Sequence, residues 1–316
     1  MEKKHIYVYS PSSAARDRAA IKRGVKRLEA MGHEVEVDEA ARGVHQRFAG
    51  DDETRLAAIH RAAASGADVA MITRGGYGLS RLLPAINYKA VARAIDKGTQ
   101  FMGLSDFTAF QCAVFAKTGA PTWAGPALEA DFGQTSEPDD ITQACFDDFV
   151  LGQGEGAGWR LPAVAIDSVA SHARTEGAEG QFGLKNSILW GGNLAMLASL
   201  VGTPYLPEVK GGILFLEDVG EHPYRVERML SQLLYAGVLG RQKAIVFGQF
   251  TDYQLVPHDR GYKLQGVIAW LQSQVKAPVL TGLPFGHAPT KVVLPVGRKV
   301  RLVVEGRDAF LLWGHR

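Results

Sequence analysis

The chain has 316 residues, with Lys plus Arg at 35 against Asp plus Glu at 33, a formal net charge of +2. That balance excludes a binder held to nucleic acid by basic excess, and 22% charged with 46% hydrophobic residues excludes a largely disordered chain. Two cysteines, Cys112 and Cys145, are too few for a disulfide framework and lack zinc-site spacing. At ~150 residues per domain, the length predicts about two domains.

The chain starts MEKKHIYVYSPSS, whose apolar run is too short for a signal-peptide core, and no later apolar stretch nears the ~20 residues of a membrane span. A soluble, cytoplasmic protein with no membrane partner is expected. His5 to Ser10 reads as a strand. Arg16 to Ala30 carries apolar residues at helical spacing (Ala19, Ile21, Val25, Leu28), and Glu34 to Asp38 alternates as a strand. Asp51 or Asp52 caps a helix running to Gly66. Ala67 to Thr73 is a buried strand, Phe101 to Leu104 another, and Asp106 to Lys117 a helix. Strands separated by helices predict a parallel sheet covered on both faces, in an α/β domain of residues 1–155.

Residues 156–186 are expected to link two domains. LGQGEGAG and SHARTEGAEGQFG bracket one β-like run, Leu161 to Ile166. Residues 187–316 read as a smaller mixed α/β domain. Its helices are expected at Asn193–Leu200, Val226–Ala236 and Leu264–Val275, and its strands at Gly212–Leu216, Ala244–Phe247, Val292–Leu294 and Val300–Val304. The last two strands are expected to pair as a hairpin around Gly297.

Four segments carry possible chemistry. In Gly103-Leu104-Ser105-Asp106-Phe107-Thr108 a strand runs straight into a helix, which exposes the Ser105 hydroxyl at the carboxyl end of a sheet beside helix N-terminal N–H groups. Ser105 is there either a nucleophile or a plain helix cap, and the second glycine of the usual nucleophile elbow is missing. Arg74-Gly75-Gly76-Tyr77-Gly78 follows a buried strand and is either a turn or an anion site. It does not fit the dinucleotide fingerprint, whose acidic residue would have to be Asp96. The apolar run Ile213 to Leu216 ends at Glu217 and Asp218, and the pattern alone does not choose between these carboxylates. Among nine histidines, His287 lies in the rigid loop Leu283-Pro284-Phe285-Gly286-His287-Ala288-Pro289, as either an oriented base or a structural imidazole. No metal or phosphate-loop motif is present. The order Ser…Glu…His is one that supports acyl transfer on α/β scaffolds.

The chain resembles the LD-carboxypeptidase family (muramoyltetrapeptide carboxypeptidases, with the microcin C7 self-immunity peptidases as relatives). The resemblance rests on SPSS at Ser10, FAGDDETR at Phe48, RGGYGLSRLLP at Arg74 and GLSDFTAF at Gly103. It continues with LWGGNLAML at Leu189, GTPYLP at Gly202, LFLEDVGEHPYRVER at Leu214 and GLPFGHAP at Gly282. It implies a flavodoxin-like N-terminal domain with a smaller α/β C-terminal domain, and a serine peptidase that removes the terminal D-alanine from murein tetrapeptide in peptidoglycan recycling. The implied triad is Ser105, His287 and Glu217, Glu217 being chosen over Asp218 by the resemblance. The expected oxyanion donors are the N–H of Asp106 and one from Gly75 or Gly76, and the expected substrate contacts are Arg74, Tyr77 and Asn193. No cofactor or metal is implied, and a homodimer is. Two features depart from the family or stand outside its motifs. Trp123-Ala124-Gly125-Pro126 stands where the family often has HGP, and no family motif anchors Ser171–Ser187. The alternative within the family is an immunity-type peptidase cleaving a peptidyl- or aminoacyl-nucleotide, for which Trp190 would be the base-stacking aromatic.

Overall fold

The computed structural model describes residues 3–162 and 181–314. The first sheet holds β1 (His5–Tyr9), β2 (Glu34–Val37), β3 (Val69–Ile72), β4 (Gln100–Gly103) and β5 (Thr122–Ala124). Their spatial order is 2-1-3-4-5, all parallel, which is the flavodoxin-like order. The crossovers are α1 (Arg18–Ala30), α2 (Asp52–Ala64), α3 (Tyr88–Asp96) and α4 (Phe107–Thr118), and α5 (Asp140–Leu151) follows β5. Side-chain caps set the helix starts: Asp17 accepts from the Ala19 N–H and Asp51, rather than Asp52, from the Thr54 N–H, both at 2.8 Å. Every residue of β3 is buried because helices cover both faces of the sheet. A single π-turn, Leu128–Phe132, packs on α1.

Among the described residues the second sheet has seven strands. These are β6 (Gly156–Arg160), β7 (Gln181–Asn193), β8 (Ile213–Val219), β9 (Ala244–Thr251), β10 (Val279–Leu280), β12 (Arg298–Glu305) and β13 (Asp308–Leu312), in the order 10-9-8-7-12-13-6. Strands β7 to β10 run parallel and the rest antiparallel. Helices α6 (Leu194–Ser199), α7 (Pro223–Tyr235) and α8 (Leu264–Gln274) belong to this half. The β-like run expected at Leu161–Ile166 falls mostly outside the described residues, and so does most of Ser171–Ser187; the strand described before them is β6.

The hairpin expected around Gly297 does not form. Strand β11 (Leu294–Val296) leaves the second half altogether and pairs antiparallel with β5, as the edge of the first sheet. Gly297, at φ +93°, turns the chain between sheets, and its N–H donates to the Leu189 carbonyl at 2.8 Å. The hairpin is instead β12–β13, turning at Gly306. A glycine between two β-rich runs signals a turn but not which partner each run takes. Here Leu294 and Val296 are buried against the first sheet, where Val296 pairs with Thr122.

Candidate active site

Ser105 lies between β4 and α4 in the left-handed region, at φ +67°. The helix cap is the next residue, Asp106, so Ser105 does not serve as the cap. A non-glycine residue at this φ costs about 1–2 kcal/mol, strain that persists only where the surroundings hold it. Close packing holds it here. A Cβ on Gly75 would lie 2.6 Å from the Ser105 Cβ and 2.9 Å from its Oγ. The RGGYG loop therefore lies directly against the serine, and only glycine fits. We expect Gly75→Ala to lower kcat by about 10²-fold and stability by about 1–3 kcal/mol, because the added methyl must displace the serine side chain. Steady-state kinetics and thermal melts check this, and unchanged kcat would separate the loop from the serine's position.

The loop is anchored from below. The Ser13 N–H donates to the Gly75 carbonyl at 3.3 Å, and the Ser13 hydroxyl accepts from the Tyr77 N–H at 3.0 Å. The buried Asp106 carboxylate accepts from the Ser12 hydroxyl at 2.7 Å and the Leu79 N–H at 3.0 Å. Burial pushes its carboxyl above the usual range, the Leu79 and Ser12 bonds opposing. Arg74 donates through Nη1 to the Ala14 carbonyl at 3.1 Å and its Nε lies 3.6 Å from Glu129, which takes up part of its guanidinium. Tyr77 is exposed, with Phe48 and Arg47 against its ring.

Glu217 is completely buried on β8. One carboxylate oxygen lies 2.7 Å from His287 Nδ1, and the other accepts from the Asn193 amide at 3.2 Å. A carboxylate only accepts, so Nδ1 carries the proton and Nε2 presents its lone pair. Burial pulls the His287 pKa down, but the hydrogen bond and charge of Glu217 outweigh it, and the net shift is upward from 6.5. Asp218, the next residue, has other partners besides Asn193. It accepts from Asn193 Nδ2 and from the N–H groups of Ala195 and Val219, all at 2.9 Å. Burial, with a smaller contribution from the Glu217 charge, pushes its carboxyl up to about 6.

Asn193 ties these residues to the serine's helix. Its N–H donates to the Thr108 hydroxyl at 3.0 Å, and the Thr108 N–H donates to the Ser105 carbonyl at 2.9 Å. Gly192 permits the approach, since a Cβ there would lie 2.4 Å from the Thr108 hydroxyl. The structure thus joins Asn193, Glu217 and His287 directly, and links Ser105 to them through Thr108. With its side-chain oxygen accepting from the Met196 N–H at 3.1 Å, Asn193 has both side-chain polar atoms engaged by protein. Sequence reasoning did not single out Thr108, Ser12, Ser13 or Glu129. Thr108 had a signal in its place one helical turn beyond Ser105, and Ser12 and Ser13 in the SPSS motif.

The fold and site define a class: a two-sheet α/β protein with a strained serine at a strand–helix junction and an imidazole backed by a buried carboxylate. The matching family models are the LD-carboxypeptidase N-terminal domain over residues 6–125 and the C-terminal domain over residues 186–302. The chain belongs to the LD-carboxypeptidase family, and it is a carboxypeptidase. It is similar to the muramoyltetrapeptide carboxypeptidase of Oxalobacter formigenes, whose crystal structure matches at TM-score 0.83 and 35% identity over 98% of each chain. It is 30% identical to the murein tetrapeptide carboxypeptidase of Pseudomonas aeruginosa, covering 89% of this chain and 87% of that one. It is also 28% identical to the microcin C7 self-immunity protein MccF of Escherichia coli, covering 75% and 72%.

Proposed function

We propose that the protein is a serine-type LD-carboxypeptidase that removes the terminal D-alanine from murein tetrapeptide, with Ser105 as nucleophile, His287 as general base and Glu217 as its orienting carboxylate. The observation that carries this reading is the 2.7 Å contact between His287 Nδ1 and the fully buried Glu217. It fixes the tautomer in which Nε2 takes a proton from the serine as Oγ attacks the scissile carbonyl. The developing oxyanion is received by the Asp106 N–H and one from Gly75 or Gly76, each donor worth about 10²–10³ in turnover. His287 then returns its proton to the leaving D-alanine amine, and water, deprotonated by the same imidazole, hydrolyses the acyl-enzyme. In this reading the nucleophile belongs to the domain of residues 1–155 and the base and carboxylate to that of 187–316, joined by 156–186. Asn193 acts by holding Glu217, leaving Arg74 and Tyr77 on the side of the substrate carboxylate. A cytoplasmic homodimer belongs to the same reading.

Mass spectrometry of murein tetrapeptide incubated with the protein tests it: loss of one alanine supports the reading, and an intact peptide sinks it. Cleavage of a peptidyl-nucleotide instead would favour the immunity-type alternative. Against that alternative, Trp190 is buried in the core with its indole N–H on Gln242 at 3.0 Å, so it offers no face to a nucleobase.

The base must be neutral to work, and the His287 pKa is raised. kcat/KM is therefore expected to climb with pH through a midpoint above 6.5, the protonated enzyme below it being inactive. A pH–rate profile checks the sign, and a midpoint below 6.5 would contradict it.

A further inference from the structure

The loop carrying His287 is held from two sides. Its first part is tied to the second sheet: the Gln249 N–H donates to the Phe285 carbonyl at 2.8 Å and the Thr251 hydroxyl to the His287 carbonyl at 3.1 Å. Its last part crosses to the first half of the chain. The Thr142 hydroxyl donates to the Pro289 carbonyl at 2.9 Å, and the Thr290 hydroxyl to Asp139 at 2.7 Å. At the end of the crossing lies an ion pair between Lys291 and Asp131, each side chain 4% exposed. The Lys291 ammonium also donates to the Ala288 carbonyl, next to His287, at 2.7 Å.

Asp131 sits on the π-turn Leu128–Phe132, and its second oxygen accepts from the Ala127 N–H at 2.8 Å. The turn reaches the serine's surroundings as well: the Glu129 N–H donates to the Thr73 carbonyl at 2.8 Å, and the Glu129 carboxylate pairs with Arg74. Gly75, against the Ser105 side chain, is the next residue. One five-residue turn therefore grips both the loop beside Ser105 and, through Lys291, the loop bearing His287.

We propose that Lys291 and Asp131 are positioning residues, a buried ionic pin that sets the His287 loop in register with the half of the molecule carrying Ser105. The inference rests on the Ser105–His287 reading above. A buried ion pair is a poor source of net stability, since the cost of desolvating both charges offsets much of their attraction. Its value here is geometric. The Glu217 bond fixes the imidazole within its own half only, and a base misplaced by about 1 Å can lose about 10²-fold in rate.

The test compares the wild type with D131N/K291M, which removes the pin without orphaning either charge. Two readouts are taken: kcat and KM on murein tetrapeptide, and the rate of Ser105 phosphonylation by a small fluorophosphonate, which needs the base but no peptide recognition. We expect both kcat and the labelling rate to fall about 30–100-fold, with KM within about threefold and the circular dichroism spectrum unchanged. A lower Tm with wild-type kcat and labelling would show a merely structural pair and overturn the proposal. If the double variant does not fold, D131N/K291Q, which removes both charges and leaves a shorter polar side chain at position 291, carries the same readouts, and full activity in it also overturns the ionic pin. Failure of the underlying reading looks different: the wild type is then not labelled at Ser105, and Ser105→Ala cleaves as well as wild type, which removes the inference with it.

Discussion

Ser105→Ala is expected to lower kcat by about 10⁴–10⁶-fold without unfolding the protein, and Ser105→Gly to be as inactive but more stable than the wild type. The first expectation follows from nucleophile chemistry: without Oγ no acyl-enzyme forms, and what survives is the contribution of binding and the oxyanion donors. The second follows from the backbone. At φ +67° a residue with a Cβ carries about 1–2 kcal/mol of strain that glycine does not. Glycine gives part of this back through its greater freedom in the unfolded chain, leaving a net gain of about 1 kcal/mol. Alanine keeps the strain and should melt close to the wild type. Kinetics on murein tetrapeptide with thermal melts of all three proteins checks both halves. Appreciable turnover by Ser105→Ala would remove Ser105 as nucleophile. A glycine variant that melts lower would mean that the Ser105 side chain contributes packing or hydrogen bonding exceeding its strain.

The first half of the fold was legible because its elements obey a period. Ala19, Ile21, Val25 and Leu28 recur at helical spacing, Asp51 caps a helix with its own side chain, and β3 is an apolar run. The parallel direction followed from alternation, and the flavodoxin-like order was implied by the resemblance. The second half was harder, because β-rich runs announce themselves without naming partners. Leu294–Val296 and Arg298–Glu305 are separated by one glycine yet enter different sheets, a choice made by which buried surface each completes. At the site, the residues with distinctive chemistry stood out as types in suggestive places, and the resemblance chose among them. Glu217 and Asp218 are adjacent and equally acidic. Both accept from Asn193, and only the fold separates them, giving Glu217 the imidazole of His287 and Asp218 the N–H groups of Ala195 and Val219. The residues that support the site left weaker traces. Thr108 speaks through its spacing from Ser105, whereas Lys291 and Asp131 are 160 positions apart and ordinary as residues, so only the folded chain pairs them.

Glu217→Gln is the most informative change to the base, and we expect it to cost about 10⁴-fold in kcat with little change in fold or KM. The argument turns on hydrogen-bond polarity rather than size. In the wild type both carboxylate oxygens accept, one from His287 Nδ1 and one from Asn193 Nδ2. A glutamine has one oxygen to satisfy two donors. The Asn193 side chain cannot turn its own oxygen inward without giving up the Met196 N–H, so the glutamine oxygen stays on Asn193 and its NH₂ faces His287. Nδ1 must then accept, which moves the ring proton to Nε2, where it blocks uptake of the serine proton. The enzyme is locked in the wrong tautomer while keeping its shape, and the lost factor corresponds to about 5.5 kcal/mol of barrier. Loss of the carboxylate also removes what raises the His287 pKa, so the residual activity should show its midpoint at lower pH than in the wild type. Kinetics across pH, with circular dichroism to verify the fold, measures both. A loss below tenfold, or an unmoved midpoint, would mean that Glu217 does not orient the base.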